Sequence, residues 1–553
     1  MCYDPIGQGE RYQMLDFDQD HTTFHSLPNR EVPHPRVQYH PTVEHTVAGL
    51  GCVLTGSNVA QYRIWDGMRS IDYLQSRSDI IPDKIGCTGN SGGGTMTAYL
   101  MALDTRIVAA APACFLTTYR KLIDTRGAQD AEQNIFGQVA FGMDEPDYVM
   151  MTAPRPVLIC AATRDVTFDI QGTWDLFRQS KRFYTRMGYP ERVSLAEADA
   201  LHGFTVQLRE AAVHWMKRWL LGIDEVVREV DPGPDPLTDQ VMRETLSEGE
   251  WTQEELYCSP GGQVLLMPGE KSVFRLNGEM EKQLEKRRSG AWRAMTENER
   301  RDLVRRVIGA DAHPGPVQPM VKKAGEIRCQ GYTIEKLVMT VEDGMKIPAL
   351  AFVPDSFAEE VCLYVSGTSA REDAGPGGPI EERVMNGQMV LAAELRGIGE
   401  TETGHDKRDY GLGYFGRDVQ EIFLAYLIGR SYVGMRVEDI RDWTAFLLDY
   451  RNPGSQSRTI SVTGTGEAAI PVLHTAAIHP GSYVSVHLTG MVSSWSEVVQ
   501  TPHNMNQAVN MVHGVLKHYD LPDLVVLAGP HKVRITDPVD ASGNPAIRSG
   551  PHE

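Results

Sequence analysis

From Ile85 onward, short apolar runs alternate with longer stretches of helical period. Ile85-Gly86-Cys87-Thr88-Gly89, Ile107 to Ala111, Pro156 to Ala162 and Val193 to Ala196 are predicted as strands. Thr95 to Leu103, Thr173 to Met187 and Thr205 to Leu221 are predicted as helices. In the last, Val206, Ala212, Trp215, Met216 and Leu220 share an apolar stripe beside Arg209, Lys217 and Arg218. Strands at helix-sized intervals imply βαβ units and a mostly parallel sheet flanked by helices, an α/β fold.

Asp231-Pro232-Gly233-Pro234-Asp235-Pro236 continues neither element and reads as a linker. Beyond it, short strands are expected near Gln263 to Met267, then a charged helical stretch from Asn277 to Ile308. Its opposite charges at i, i+4 spacing between Glu281 and Arg288 need no more than a solvated helix face. A second α/β pattern starts near Tyr332. Leu337 to Val341, the turn Glu342-Asp343-Gly344 and Ile347 to Val353 form a predicted hairpin, Val361 to Val365 a buried strand, and Leu524 to Leu527 another strand running into Gly529-Pro530-His531. Three parts are therefore expected: 1–225, a linker and helical connector over 226–329, and 330–553.

The outer parts carry a faint repeat. Asp4-Pro5-Ile6-Gly7-Gln8-Gly9-Glu10 resembles Glu394-Leu395-Arg396-Gly397-Ile398-Gly399-Glu400. Leu54, Gly56, Arg63, Asp66 and Leu74 match Leu427, Gly429, Arg436, Asp439 and Leu447 at a constant offset of 373. Thr88-Gly89-Asn90-Ser91 then aligns with Thr463-Gly464-Thr465-Gly466. Three matches in one order point to a duplicated architecture.

Charge narrows the partners. Against 54 Lys and Arg stand 73 Asp and Glu, a net charge of −19 over 553 residues. A nucleic-acid binder or a helix lying on anionic lipid needs the opposite sign. No apolar run reaches the length of about 18 residues that a membrane-spanning helix needs. The eight cysteines contain no C-x-x-C pair, and Cys87, Cys160 and Cys362 sit inside apolar runs, which favours packing in a reducing compartment over disulfides or a metal. Met1-Cys2-Tyr3-Asp4-Pro5 shows no basic-then-apolar leader.

Candidate chemistry centres on Gly89-Asn90-Ser91-Gly92-Gly93, a G-x-S-x-G sequence between a predicted strand and helix. A serine on that sharp turn projects its hydroxyl above the sheet, and the Gly92 N–H at the helix start faces a developing oxyanion. The pattern then requires an acid and a histidine after later strands. Asp165 follows the Pro156 to Ala162 strand, and His202 in Ala200-Leu201-His202-Gly203-Phe204 follows the Val193 strand. Asp169, Glu197 and Asp199 are the competing acids. Such a set needs neither metal nor organic cofactor.

Ser91-Gly92-Gly93-Gly94, Arg69-x-x-Asp72-Tyr73-Leu74, Leu103-Asp104-x-Arg106 and Ala200-Leu201-His202-Gly203-Phe204 resemble the acetyl xylan esterase and prolyl-oligopeptidase-like (dienelactone-hydrolase-like) branch of the α/β-hydrolase superfamily. The resemblance covers residues 1 to 225 and, faintly, 330 to 535. It implies a serine ester hydrolase acting through an acyl-enzyme on a small-molecule or carbohydrate ester. A peptidase of the prolyl-oligopeptidase type is the second enzyme reading, though no 40–45-residue propeller repeat is visible. A hydrolase-like scaffold without catalysis is the third.

Two departures from that pattern are expected. Several strands normally precede the Asp4 segment, whereas Met1 lies almost inside the strand leading to it, so the first domain reads as N-terminally incomplete, with a signal segment left open. The missing strands would also remove one oxyanion donor and leave an unpaired sheet edge open to association with a second copy. In the second domain Gly466 stands at the nucleophile position, so residues 330–553 read as a degenerate, non-catalytic hydrolase-like domain, with Thr463 or His531 as a minority site. The prolines among His21, His25, His34, His40 and His45 favour a loop bordering the cleft over a metal site.

Overall fold

The computed structural model describes residues 1–15, 41–229, 253–259, 262–310, 319–356, 360–402, 418–452, 458–502 and 504–546. The chain divides into two compact units, Met1–Val32 with Asn58–Glu270, and Pro33–Ser57 with Lys271–Glu553.

The first unit holds a four-stranded parallel sheet in the order β1-β2-β3-β4, formed by Ile85–Asn90, Ile107–Ala113, Val157–Ala162 and Val193–Ala198. All six positions of β3 are buried, which explains its unbroken apolar sequence. Helices Gly92–Leu103, Ile170–Arg186 and Val206–Met216 form the crossovers and the closing helix. Leu208, Ala212 and Trp215 of the last one meet Ala111, Ala113, Leu158, Cys160 and Ala198 from the sheet in one core. Small residues on β2 let that helix lie close.

The second unit holds an eight-stranded mixed sheet, ordered β12-β11-β10-β8-β9-β7-β6-β5. These are β5 (Met320–Arg328), β6 (Tyr332–Thr340), β7 (Lys346–Pro354), β8 (Glu360–Val365), β9 (Met389–Ala393), β10 (Thr459–Thr465), β11 (Ser485–Thr489) and β12 (Val533–Thr536). Strands β9, β8, β10, β11 and β12 run parallel, and β5, β6 and β7 pair antiparallel. The predicted hairpin is β6–β7. Its neighbour β5 was not expected, because Lys322, Lys323, Glu326 and Arg328 give it the charged character of an edge strand rather than an apolar run.

Several expectations are corrected. Leu524 to Leu527 belong to the helix Leu521–Ala528, not a strand: Asp520 and Asp523 form a capping box around Pro522, and an apolar run of this length carries no decisive period. The strand follows at β12. Gln263 to Met267 contains a single 3-10 turn, Val264–Leu266, within the first unit. Gln263 there donates to the Gly9 carbonyl at 2.8 Å and accepts from the Tyr12 N–H at 3.2 Å. Residues up to Glu270 group with the first unit, and the helices Val273–Ala294 and Glu297–Ile308 with the second. Residues 1–5 form no strand. His45 lies in a helix, Pro41–Thr55, of the second unit, not in a loop; His21, His25, His34 and His40 fall outside the described residues.

The repeat has a structural counterpart. In each unit an acidic side chain closes a glycine turn: Asp4 Oδ2 accepts from the Glu10 N–H at 2.9 Å, and Glu394 Oε2 accepts from the Glu400 N–H at 2.6 Å. Gly9 and Gly399 both need positive φ, +53° and +62°. An 18-residue helix follows in each, Val59–Ser76 and Tyr432–Asp449, each with a fully buried arginine, Arg63 and Arg436.

Candidate active site

β1 ends at Asn90 and the helix Gly92–Leu103 begins one residue after Ser91, so Ser91 alone makes the turn. Its backbone sits at φ +56°, ψ −119°, a conformation that costs a non-glycine residue about 1–3 kcal/mol. The glycines around it are required by space. A Cβ on Gly89 would stand 2.6 Å from the Gly93 carbonyl oxygen, and one on Gly94 would stand 2.4 Å from the Ala113 carbonyl oxygen. The Ser91 N–H is tied to that same Ala113 carbonyl at 3.0 Å, and the Ser91 side chain makes no capping bond. Strand, turn and helix are thereby locked while the hydroxyl is left uncommitted to the helix.

Asp165 and His202 come from the loops after β3 and β4. These loops run side by side, the Thr163 N–H on the Ala198 carbonyl and the Arg164 N–H on the Ala200 carbonyl, at 2.9 and 3.0 Å. His202 Nδ1 lies 2.7 Å from Asp165 Oδ2. The carboxylate is almost wholly buried, at 1% exposure, and its other oxygen accepts from the N–H groups of Thr167 and Phe168 at 2.8 and 3.0 Å. Both its oxygens are thus fixed, and a carboxylate held this way can only accept, which assigns the proton of the pair to His202 Nδ1. The Phe168 ring lies 5.7 Å from the imidazole and confines it on one side. Ser91, Asp165 and His202 all follow the carboxyl ends of strands in one parallel sheet, the rim where such sheets place ligands.

The competing acids have other work. Asp169 caps the helix Ile170–Arg186 through the N–H groups of Gln171 and Gly172. Glu197 accepts from Trp174 Nε1 at 2.7 Å, and Asp199 pairs with Arg164 and Thr163.

Two neighbours escaped the sequence reading. Glu132 forms a buried ion pair with Arg63 at 2.7 Å, and a Cβ on Gly92 would lie 3.1 Å from a Glu132 oxygen. The pair therefore sits beside the first N–H of the helix. Glu132 lies in an irregular polar stretch with no periodic signal, although Arg63 marked itself through the repeat. Cys114, the residue after β2, has φ +45° and donates its thiol to the Gly203 carbonyl at 3.4 Å. Burial pushes that thiol up to about 11, so it is a neutral group and no rival nucleophile.

In the second unit the matching turn falls at Gly466, φ +52°, between β10 and the helical segment that continues as Ala469–Ile478. Arg436 lies 3.7 Å from Glu467, the residue after the turn, and 3.3 Å from Asp418. Thr463 is buried within β10, bonded to Arg383, rather than presented at the turn. His531 sits between the Leu521–Ala528 helix and β12, ahead of the strand and not at its carboxyl end.

A parallel sheet with a serine on a strained strand-to-helix turn, and a hydrogen-bonded Asp–His pair on later loops of the same rim, defines the α/β-hydrolase class of architecture. No family model matches the chain. Over 172 residues it is 28% identical to a Bacillus subtilis (strain 168) protein named "Putative hydrolase YtaP", a match covering 30% of this chain and 56% of the relative; the chain thus spans about half the length of that curated relative. Among solved structures, a "putative acetyl xylan esterase" from Bacteroides fragilis NCTC 9343 is 16% identical with a TM-score of 0.35, covering 44% of this chain and 67% of that one. Acetyl xylan esterase 1 from Thermoanaerobacterium sp. JW/SL YS485 is 14% identical with a TM-score of 0.29, covering 46% of this chain and 89% of that one.

Proposed function

We propose that the first unit is a serine carboxylic-ester hydrolase and that the second is a non-catalytic relative of it. The observation that carries the reading is the 2.7 Å bond between His202 Nδ1 and Asp165 Oδ2 at the rim where Ser91 makes its turn. With its Nδ1 proton held by Asp165, the neutral imidazole keeps a lone pair on Nε2. That nitrogen takes the Ser91 proton as Oγ attacks the ester carbonyl. The Gly92 N–H, at the positive end of its helix, stabilises the oxyanion. His202 returns the proton to the departing alcohol, and water repeats the cycle on the acyl-enzyme. The name of the Bacillus subtilis relative, a hydrolase, agrees with this reading. Acetylated carbohydrate is the substrate class to try first, on the motif resemblance of residues 69–106 and 200–204. For the second unit, the supporting observation is Gly466, which carries the nucleophile turn without a nucleophile.

Burst kinetics with p-nitrophenyl acetate test the reading on wild type and Ser91→Ala. A stoichiometric burst in wild type that vanishes in the variant is expected. Equal background rates in both would leave only a hydrolase-like scaffold.

A further inference from the structure

Cys114, Asp165 and His202 approach one another from the ends of the three neighbouring strands β2, β3 and β4. One donor atom from each lies within 4.8 Å of the other two. The acyl-transfer chemistry uses the carboxylate and the imidazole but has no use for the thiol. Sulfur, nitrogen and oxygen donors gathered beyond the carboxyl ends of three neighbouring strands are the ligand set of a borderline-soft divalent cation.

We propose that Cys114, Asp165 and His202 form a binding site for a zinc-class cation, and that its occupation switches the catalytic histidine off. Bonds of about 2.0–2.3 Å in a tetrahedral site place donor atoms about 3.3–3.8 Å apart, so the Asp165–His202 pair, 2.7 Å apart, opens slightly to admit the ion. His202 is 29% exposed, so the cluster is open to solvent on that side. The nitrogen facing Asp165 is Nδ1, so the ion meets the ring there. On binding, the Cys114 thiol gives its proton to solvent and the carboxylate turns from Nδ1 to the metal. The imidazole stays neutral, its proton moving from Nδ1 to Nε2. In that state Nε2 has no lone pair for the Ser91 proton, and acylation stops. Metal binding itself stands on the geometry alone; the inhibition rests on the proposed esterase reading.

The test uses the full chain, stripped of metal, with zinc chloride titrated against a chromophoric chelator for wild type, Ser91→Ala and Cys114→Ser. We expect one zinc per wild-type chain, equal affinity in Ser91→Ala, and affinity weakened about a hundredfold in Cys114→Ser, the top of the range for losing even a supporting group of a metal site. Cobalt(II) in wild type should show thiolate-to-metal charge-transfer absorption, a readout that does not depend on the folding of any variant. Ester hydrolysis should fall in step with zinc occupancy and return with chelator. Failure to take up zinc, equal affinity in a folded Cys114→Ser, or a cobalt complex without thiolate absorption overturns the site. Thiolate-ligated metal in a chain with no burst upholds the site and sinks the esterase reading instead.

Discussion

Ser91 and Gly466 occupy the same backbone turn in the two units, at φ +56° and +52°. Each follows a strand that pairs in parallel on its downstream side, β1 with β2 and β10 with β11. The strain that Ser91 bears is absent at Gly466, because glycine has no Cβ to crowd the carbonyl. A serine persists in such a conformation only where surrounding structure holds it there, and the tight contacts at Gly89 and Gly94 do so.

That relationship makes Ser91→Gly more informative than alanine. Both variants should lose the acylation burst and more than about a thousandfold in turnover. Ser91→Gly should nevertheless be the more stable by about 1 kcal/mol in urea unfolding, since it removes the positive-φ penalty that alanine keeps. Equal midpoints would mean that the turn is not strained.

Asp165→Asn is expected to keep the fold and lose about 10⁴-fold in kcat. Asparagine preserves the shape but can donate to Nδ1, which favours the wrong imidazole tautomer. Asp169→Asn, at the helix cap, should leave kcat nearly intact and cost at most about 1 kcal/mol of stability. A larger kcat loss at Asp169 than at Asp165 would reverse their assignment.

Much of the first unit was legible because its central strands β2 and β3 are buried along nearly their whole length and appear as apolar runs, while β1, with one buried position in six, is marked by the glycine-rich turn that ends it. The placement of the candidate residues was legible for a different reason: Ser91, Asp165 and His202 are tied by chain order to strand ends, and Asp165 and His202 meet there. What local pattern could not give was pairing across space. Glu132 reaches Arg63 from an irregular loop, and Cys114 looks like one more buried thiol until its contact with Gly203 is seen. The second unit misled at Leu524 to Leu527, where only the capping box at Asp520 distinguishes a buried helix from a buried strand. Nor could local pattern give the pairing of Glu10, at the start of the chain, which accepts from the N–H groups of Cys258 and Ser259 at 2.6 and 2.7 Å.

The glycines after Ser91 should divide sharply on substitution. A Cβ at Gly93 meets nothing within 4 Å, so Gly93→Ala is expected to be neutral or slightly stabilising through helix propensity. Gly94→Ala forces a methyl to 2.4 Å from the Ala113 carbonyl and 2.9 Å from the Phe115 side chain. The helix must then move off β2, which costs about 1–3 kcal/mol as overpacking and, on the proposed mechanism, displaces the Gly92 N–H from the oxyanion. Thermal unfolding and kcat on the two variants decide this: equal behaviour would show that the turn is not held by close packing.

Glu145 supplies a pH test independent of catalysis. It is fully buried, accepts from the Thr117 N–H at 2.8 Å, and has the Asp144 carboxylate beside it. Burial first, and that neighbouring charge after it, raise its carboxyl well above the usual 4.5, while the Thr117 bond acts the other way. The folded chain therefore holds the proton where the unfolded chain releases it. Below the unfolded value both states are protonated and nothing is lost; as pH rises above about 4.5 the unfolded state gains by ionising, and stability falls until the folded group ionises too. Glu145→Gln keeps the acceptor for Thr117 and removes the titration. Its urea midpoint should match wild type near pH 4.5 and exceed it increasingly toward pH 8. A gap between the two proteins that stays constant across that range would show that Glu145 is ionised in the folded state.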